Sequence, residues 1–336
     1  MRLQPPTTTV TEAGAVLVAP GQARQRSWGK TLIRGLISVA LILWLLSQVH
    51  LHEVLQSLHR VRPLFLGFGL CLQFVGSFLT TRRWQGLLHA QGIGLPMRYL
   101  YGSWMVGCFF KQFLPATIGS DAIRVYDTWR RGVSRSVALA TIMVDRLVGT
   151  LALMSFAVGM LAFASRVSSR IPGLSLWIAG IVAILVGSIW FVFVSPTLLQ
   201  SPGQWLLGWL PGRVRRLLER LTDALAVYRG QYRALLQALG WSFLLQMNVI
   251  LFYFVVARAL DLPVPFQDFL LIVPIASVIL MLPVSINGIG LREGVFVFLL
   301  APFGVGVPDA IAYAWTAFGL FLCYGLLGGL VYAIRK

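Results

Sequence analysis

The chain alternates long hydrocarbon runs with short segments rich in arginine. An α-helix needs about 20 apolar residues to cross the hydrocarbon core of a bilayer. Runs of that kind fall at 31–49, 63–80, 137–163, 173–195, 239–260 and 307–333 and predict six full spans. Two further apolar stretches, 97–114 and 266–282, each run into Pro and Gly, meet ionisable residues, and are followed by a short apolar segment. They predict helical hairpins that enter the membrane and turn back. Between 212 and 238, Val214, Leu217, Leu218, Leu221 and Leu225 share one helical face, with Arg213, Arg216 and Arg220 on another. That spacing predicts an amphipathic helix in the headgroup plane, gripping anionic lipid, or a cytoplasmic helix packed on the bundle.

The two breaks resemble each other. Leu114–Arg124 reads LPATIGSDAIR and Leu282–Arg292 reads LPVSINGIGLR, with Leu114/Leu282, Pro115/Pro283, Ile118/Ile286 and Arg124/Arg292 identical in register. Pro115, Gly119, Pro283, Gly288 and Gly290 are the expected hairpin-turn residues. Lys and Arg in short loops mark the cytoplasmic side of a membrane. Arg24, Arg26 and Lys30 put the N-terminus inside, and two spans return Arg82 and Arg83 to that side. A first hairpin that turns back keeps Arg130, Arg131 and Arg135 inside, whereas a full crossing would export them. Arg213, Arg215, Arg216, Arg220, Arg335 and Lys336 then also fall inside. Three full spans separate the two motifs, so they face opposite leaflets.

The expectation is an all-α membrane protein, a polytopic helix bundle of about six full spans plus two re-entrant helical hairpins in an inverted repeat. Repeat one covers about 31–165, repeat two about 173–334, and residues 1–30 form a disordered basic cytoplasmic tail. Inverted repeats meeting at broken helices recur among transporters, with the substrate near the midplane. The plainer alternative is two Pro-kinked helices with a chance likeness.

Composition fits the membrane reading. With 57% hydrophobic and 12% charged residues, the chain lacks the polar surface a soluble domain shows to water. A net charge of +17 would suggest nucleic acid in a soluble protein, but these arginines lie in short segments between apolar runs, so no nucleic-acid partner is expected. Cys71, Cys108 and Cys323 sit inside apolar runs and read as small hydrophobes. His50, His52, Glu53 and His59 read as an interfacial turn. No metal and no cofactor is expected, and without a P-loop no ATP site.

An ionisable side chain in the hydrocarbon costs on the order of 3 kcal/mol, so it usually faces a partner or a wet cavity. The candidates are Lys111, Asp121, Arg124, Asp145, Arg146, Arg292 and Glu293. Arg124 and Arg292 each follow a Gly-containing turn that opens a short helix, where free N–H groups and the helix dipole favour an anion. A guanidinium fork there makes a phosphate site. Asp121 is positioned to cap the first helix and orient Arg124, Glu293 to restrain Arg292, and Lys111 lies one turn before Pro115. Ser120 and Asn287 complete the headgroup candidates, with Asp145 and Arg146 as supporting groups or a structural ion pair. Arg82, Arg83 and Trp84 read as an interface anchor.

FLPATIGSDAIRVY at 113–126, VDRLVG at 144–149 and LPVSINGIGLREGVF at 282–296 resemble the lysylphosphatidylglycerol synthase transmembrane region, a flippase-like family that also occurs as stand-alone proteins. The resemblance runs from about residue 31 onward. Where the family pattern has Gly-Gly-Asp, this chain has Gly119, Ser120 and Asp121, and Asn287 stands in the Gly-rich second turn. Both changes suit tight turns. Fused members add a soluble domain that transfers an amino acid from charged transfer RNA to lipid; no counterpart is expected here, since Lys336 follows directly on the last span. The resemblance therefore implies a flippase or transporter that moves a lipid with a polar or charged headgroup, not an enzyme, with no catalytic residue. An intramembrane transferase acting on a lipid phosphate is the alternative, although no His or close acidic pair stands beside the motifs. A non-catalytic partner of a lipid-modifying enzyme is a third reading, and a homo-oligomer stays open. The expected location is a bacterial or archaeal cell (inner) membrane, multi-pass, with both termini cytoplasmic.

Overall fold

The computed structural model describes residues 61–112, 118–161, 230–281 and 290–335, with single positions 180 and 228. Its elements are α1 (Pro63–His89), α2 (Met97–Lys111), α3 (Ile118–Arg130), α4 (Arg135–Leu161), α5 (Tyr232–Ala259), α6 (Phe266–Leu280), α7 (Leu291–Leu300) and α8 (Val307–Ile334), with a 3-10 turn at Ala301–Phe303. Among the described residues there is no strand. Four of these helices are long and apolar enough to cross a membrane: α1, α4 over Arg135–Phe156, α5 and α8. They match the runs at 63–80, 137–163, 239–260 and 307–333. The tail 1–30, the runs at 31–49 and 173–195, the turn residues Pro115, Pro283, Asn287 and Gly288, and most of 212–238 lie outside the described residues.

Residues 232–238 form the opening turns of α5. Their apolar positions have somewhere to go: Ala238, Leu235 and Leu239 pack with Leu87, Val144 and Tyr228 against α1 and α4. Tyr228, just ahead of α5, donates its hydroxyl to the Leu87 carbonyl at 3.1 Å. Burial raises the pKa of that hydroxyl, so it stays a neutral donor at physiological pH.

Proline sets several helix starts. Pro63 opens α1, Pro308 lies in the first turn of α8, and Pro96 and Pro265 precede α2 and α6. A fixed φ near that of a helix suits these positions, where the missing N–H has no intrahelical acceptor anyway. The turn from α1 to α2 is closed by Gln91 N–H to Leu88 O (3.0 Å), Gly92 to His89 (2.9 Å) and Ile93 to Leu88 (3.0 Å). The turn from α5 to α6 repeats these bonds in the same register, Leu260 to Ala257 (3.2 Å), Asp261 to Arg258 (3.3 Å) and Leu262 to Ala257 (3.0 Å). Each turns through a left-handed residue, Gly92 at φ 75 and Asp261 at φ 51, the latter a residue type that tolerates that region. The proline that follows accepts from Tyr99 in one case (3.0 Å) and Asp268 in the other (3.1 Å). The likeness between the two segments thus extends beyond the eleven-residue motif to the order long helix, turn, short helix.

The equivalent long helices α1 and α5 run antiparallel and form the most extensive interface among the described residues. Arg62 N–H reaches the Ala259 carbonyl at 3.2 Å at one end, Gly76 lies against Asn248 midway, and Arg83 meets Ser242 near the other end. Helices α2 and α3 also run antiparallel: Tyr99 Oη donates to the Asp127 carbonyl at 2.9 Å, and a Cβ on Gly107 would lie 3.1 Å from the Ser120 backbone. In the second pair, Phe269 of α6 and Phe296 of α7 both pack on the Tyr313 ring, at 6.3 and 5.0 Å. Helix α8 crosses α2 through small residues, because in lipid it is close backbone approach and not water exclusion that joins helices. A Cβ on Gly328 would fall on the Met105 carbonyl oxygen, and Gly329 faces the Phe109 ring.

The two ends of the bundle carry different charge. Arg98, Arg130, Arg131, Arg135, Arg233 and Arg335 lie at one end, where Arg335 pairs with Asp127 at 2.6 Å and stacks on Tyr99. Among the described residues the opposite end has Arg62, paired with Asp261 at 2.8 Å, and Arg258.

Gly328→Ala forces α8 off α2 and is expected to cost about 1–3 kcal/mol through overpacking. Gly240→Ala, where an added Cβ meets nothing within 4 Å, should be neutral or stabilising. Thermal unfolding in detergent, followed by tryptophan fluorescence, separates the two; equal midpoints would show that the α2–α8 approach is not a tight constraint.

Candidate functional site

Asp145, ten residues into α4 and 2% exposed, is an ionised group taken out of water. Such a group is tolerated when its lone pairs are filled by opposite charge. Arg83 of α1 donates Nε to Asp145 Oδ1 at 2.6 Å, and Arg124 of α3 donates Nη2 to Oδ2 at 2.9 Å. Arg83 also donates Nη1 to Ser242 Oγ of α5 at 2.8 Å, and the Ser242 hydroxyl donates in turn to the Ala238 carbonyl at 2.8 Å. Gly149, one turn along α4, leaves room for this: a Cβ there would be 3.0 Å from Arg83 Nη1. One carboxylate therefore joins α1, α3 and α4, and Arg83 extends the link to α5.

Arg124 is 2% exposed and stacked on aromatic rings. Its guanidinium carbon is 4.4 Å from the Trp84 ring centroid on α1 and 5.3 Å from that of Trp104 on α2, both within cation–π range. Asp121, in the first turn of α3, stands 3.7 Å from Arg124 Nη1 and pairs with Arg146 Nε of α4. The cluster holds three guanidinium groups, Arg83, Arg124 and Arg146, against two carboxylates, Asp121 and Asp145. It is one positive charge in surplus, which suits an anion.

Sequence candidates Asp121, Arg124, Asp145 and Arg146 come together here. Ser120 is buried beside them where α3 meets Gly107, Gly119 is buried in the same turn of helix, and Lys111 is exposed at the end of α2. Arg292 and Glu293 are placed elsewhere, on α7. Arg292 is buried over the Phe318 ring at 4.5 Å. Glu293 Oε2 accepts the N–H of Gly290, the φ 82 residue that precedes α7, at 2.6 Å, and so closes a capping box at the helix start.

Arg83 and Trp84 differ from the anchor role expected of them. Both are buried, whereas Arg82 alone of the three is exposed and bonds Gln85 at 2.8 Å. The physical reason is that α1 continues to His89, which places Arg83 inside a helix and not at its end. The apolar Trp84, Leu87 and Leu88 immediately after it were the sequence signal for that continuation.

Fold and site together define a polytopic helical membrane protein with a buried, net-cationic polar centre. The chain belongs to the family described as the lysylphosphatidylglycerol synthase TM region, which matches residues 31–328. A UPF0104 membrane protein of Methanothermobacter thermautotrophicus is 24% identical over 288 residues, covering 78% of this chain and 82% of the relative. Membership ties the chain to lipid-related function in a membrane.

Asp145→Asn leaves two buried guanidinium groups without their shared carboxylate, a loss of about 3–5 kcal/mol for a broken buried pair. Asp121→Asn breaks a pair whose side chains are 21% and 40% exposed, for which about 0–1 kcal/mol is expected. Chemical unfolding of the two variants in mixed micelles gives the comparison, and a larger effect at Asp121 would displace Asp145 from the centre of the site.

Proposed function

We propose that this protein moves a lipid with a polar or charged headgroup between the leaflets of a cell membrane, without changing the lipid chemically. In this reading α2–α3 and α6–α7 are re-entrant hairpins of an inverted repeat that dip from opposite faces. Each first helix of these pairs has 15 residues, about 22 Å, short of the roughly 30 Å of hydrocarbon. The antiparallel course of α1 and α5, with their matching turns, supports the inversion.

The observation on which the proposal chiefly rests is the surplus positive charge around Arg124. Asp145 lies ten residues, about 15 Å, inside the Arg135 end of α4, close to half the hydrocarbon thickness. A site at that depth, on the first hairpin and wired to the spanning helices, can hold a headgroup partway across while the acyl chains stay in lipid. Among the described residues, six arginines at one end against two at the other favour the Arg335 end as cytoplasmic. Arg292 is the corresponding cation of the second hairpin.

Purified protein in liposomes should speed the exchange of a fluorescent anionic phospholipid between leaflets, read by quenching of the outer label. Arg124→Gln and Arg292→Gln should slow exchange about tenfold or more while each still purifies folded. The recovered lipid should keep its mass. Absence of protein-dependent exchange contradicts the proposal, and a new lipid species formed in proportion to protein would favour an intramembrane transferase.

A further inference from the structure

The polar atoms around Arg124 are unevenly satisfied. Its two terminal nitrogens face Asp145 and Asp121, but its buried Nε has no hydrogen-bond partner. Neither has Nε1 of Trp84, a side chain fully enclosed at 0% exposure, nor the buried Nε1 of Trp104. Both indoles are the rings that stack on this guanidinium. Three N–H donors on one stack thus lack an acceptor, and each unpaired donor costs about 1–3 kcal/mol. Native interiors rarely leave such groups unanswered, and an orphan of this kind calls for an explanation.

The chemistry of the missing acceptor can be read from its surroundings. All three groups are donors, so a ligand that only donates, such as an ammonium, cannot serve them. A water molecule could accept from two of them but would leave the surplus charge uncompensated. Asp145 is shared between Arg83 and Arg124, and Asp121 between Arg124 and Arg146, so three guanidinium groups share two carboxylates and Arg124, in contact with both, sits at the middle of the surplus. An anion with several acceptor oxygens answers both deficits. We infer that the Trp84–Arg124–Trp104 stack is a phosphate-recognition element in which the indole N–H groups and Arg124 Nε donate to phosphate oxygens. Trp104, the half-buried ring, marks the open side of the stack. This deepens the lipid-transfer reading and rests on the same site, since the phosphate could belong to a lipid headgroup or to a soluble phosphate.

Replacing an indole by phenyl keeps a ring for the cation and deletes one donor. Because neither N–H has a protein partner, Trp84→Phe and Trp104→Phe should not lose a bond in the ligand-free protein, and the unfolding temperature should not fall for want of one. Binding is measured on the full chain in detergent with phosphatidylglycerol, with diacylglycerol as the same lipid lacking phosphate, and with glycerol 3-phosphate as the phosphate lacking tails. Wild type should retain phosphatidylglycerol over diacylglycerol, and each Phe variant should lose on the order of tenfold in affinity, the worth of one hydrogen bond to a charged group. Tight glycerol 3-phosphate binding would assign the site to soluble phosphate; binding only with tails assigns it to lipid. A second readout needs no variant to fold: indole ¹⁵N–H resonances of the 11 tryptophans should show two moving downfield on phosphatidylglycerol titration. Wild-type affinity in both Phe variants with unmoved indole signals, or equal retention of diacylglycerol, overturns the inference. Binding without leaflet exchange would sink the transfer reading and leave this one standing.

Discussion

The Asp145 carboxylate is the constraint on which the described structure turns. It can remain ionised away from water because Arg83 and Arg124 fill its two oxygens at 2.6 and 2.9 Å. Those two arginines come from different helices, Arg83 from α1 and Arg124 from α3. Helix α3 is thereby fixed to the long helices α1 and α4 by charge held out of water. Gly107, Gly149 and Gly328 are the backbone side of the same arrangement, since each admits a neighbour that a side chain would push away. Small residues bring the helices close, and the ionic centre decides which faces meet.

The order long helix, turn, short helix recurs with different residues placed on it. In the register set by the matched turns, Arg83 and Trp84 of α1 correspond to Phe252 and Tyr253 of α5. Around Arg292 the setting is accordingly aromatic, with Phe318 beneath the guanidinium and Tyr253, Phe296 and Tyr313 packed on one another. Arg124 sits between indoles and two carboxylates, and Arg292 over the Phe318 ring. In the lipid-transfer reading, that asymmetry offers the headgroup a different grip in each half.

Much of the architecture was legible in the chain because hydrocarbon thickness translates directly into run length. The spans at 63–80, 137–163, 239–260 and 307–333 and the interruptions after 97–114 and 266–282 followed from that rule, and intramembrane charge pointed to Asp121, Arg124, Asp145 and Arg146. What stayed hidden depends on tertiary placement. Arg83 lies 62 positions from Asp145, and a cation near the end of an apolar run looks like an anchor until the helix is seen to continue. Trp84 read as part of an interface anchor and Trp104 carried no sequence signal, since only the fold reveals that their N–H groups lack an acceptor. The matching turns have no sequence signature because Gly92 and Asp261 share a backbone conformation and not a residue type.

The central claim is that the Asp145 charge acts through Arg124 to hold the hairpin in place. A double-mutant cycle of Arg124→Gln and Asp145→Asn, followed by equilibrium unfolding in detergent, tests it most directly. The account predicts a coupling energy of about 1.5–3 kcal/mol, the double variant being far less damaged than the sum of the singles, because each single change strands a buried charge. Additivity within about 0.5 kcal/mol would contradict it, and would mean that the hairpin is held by packing alone.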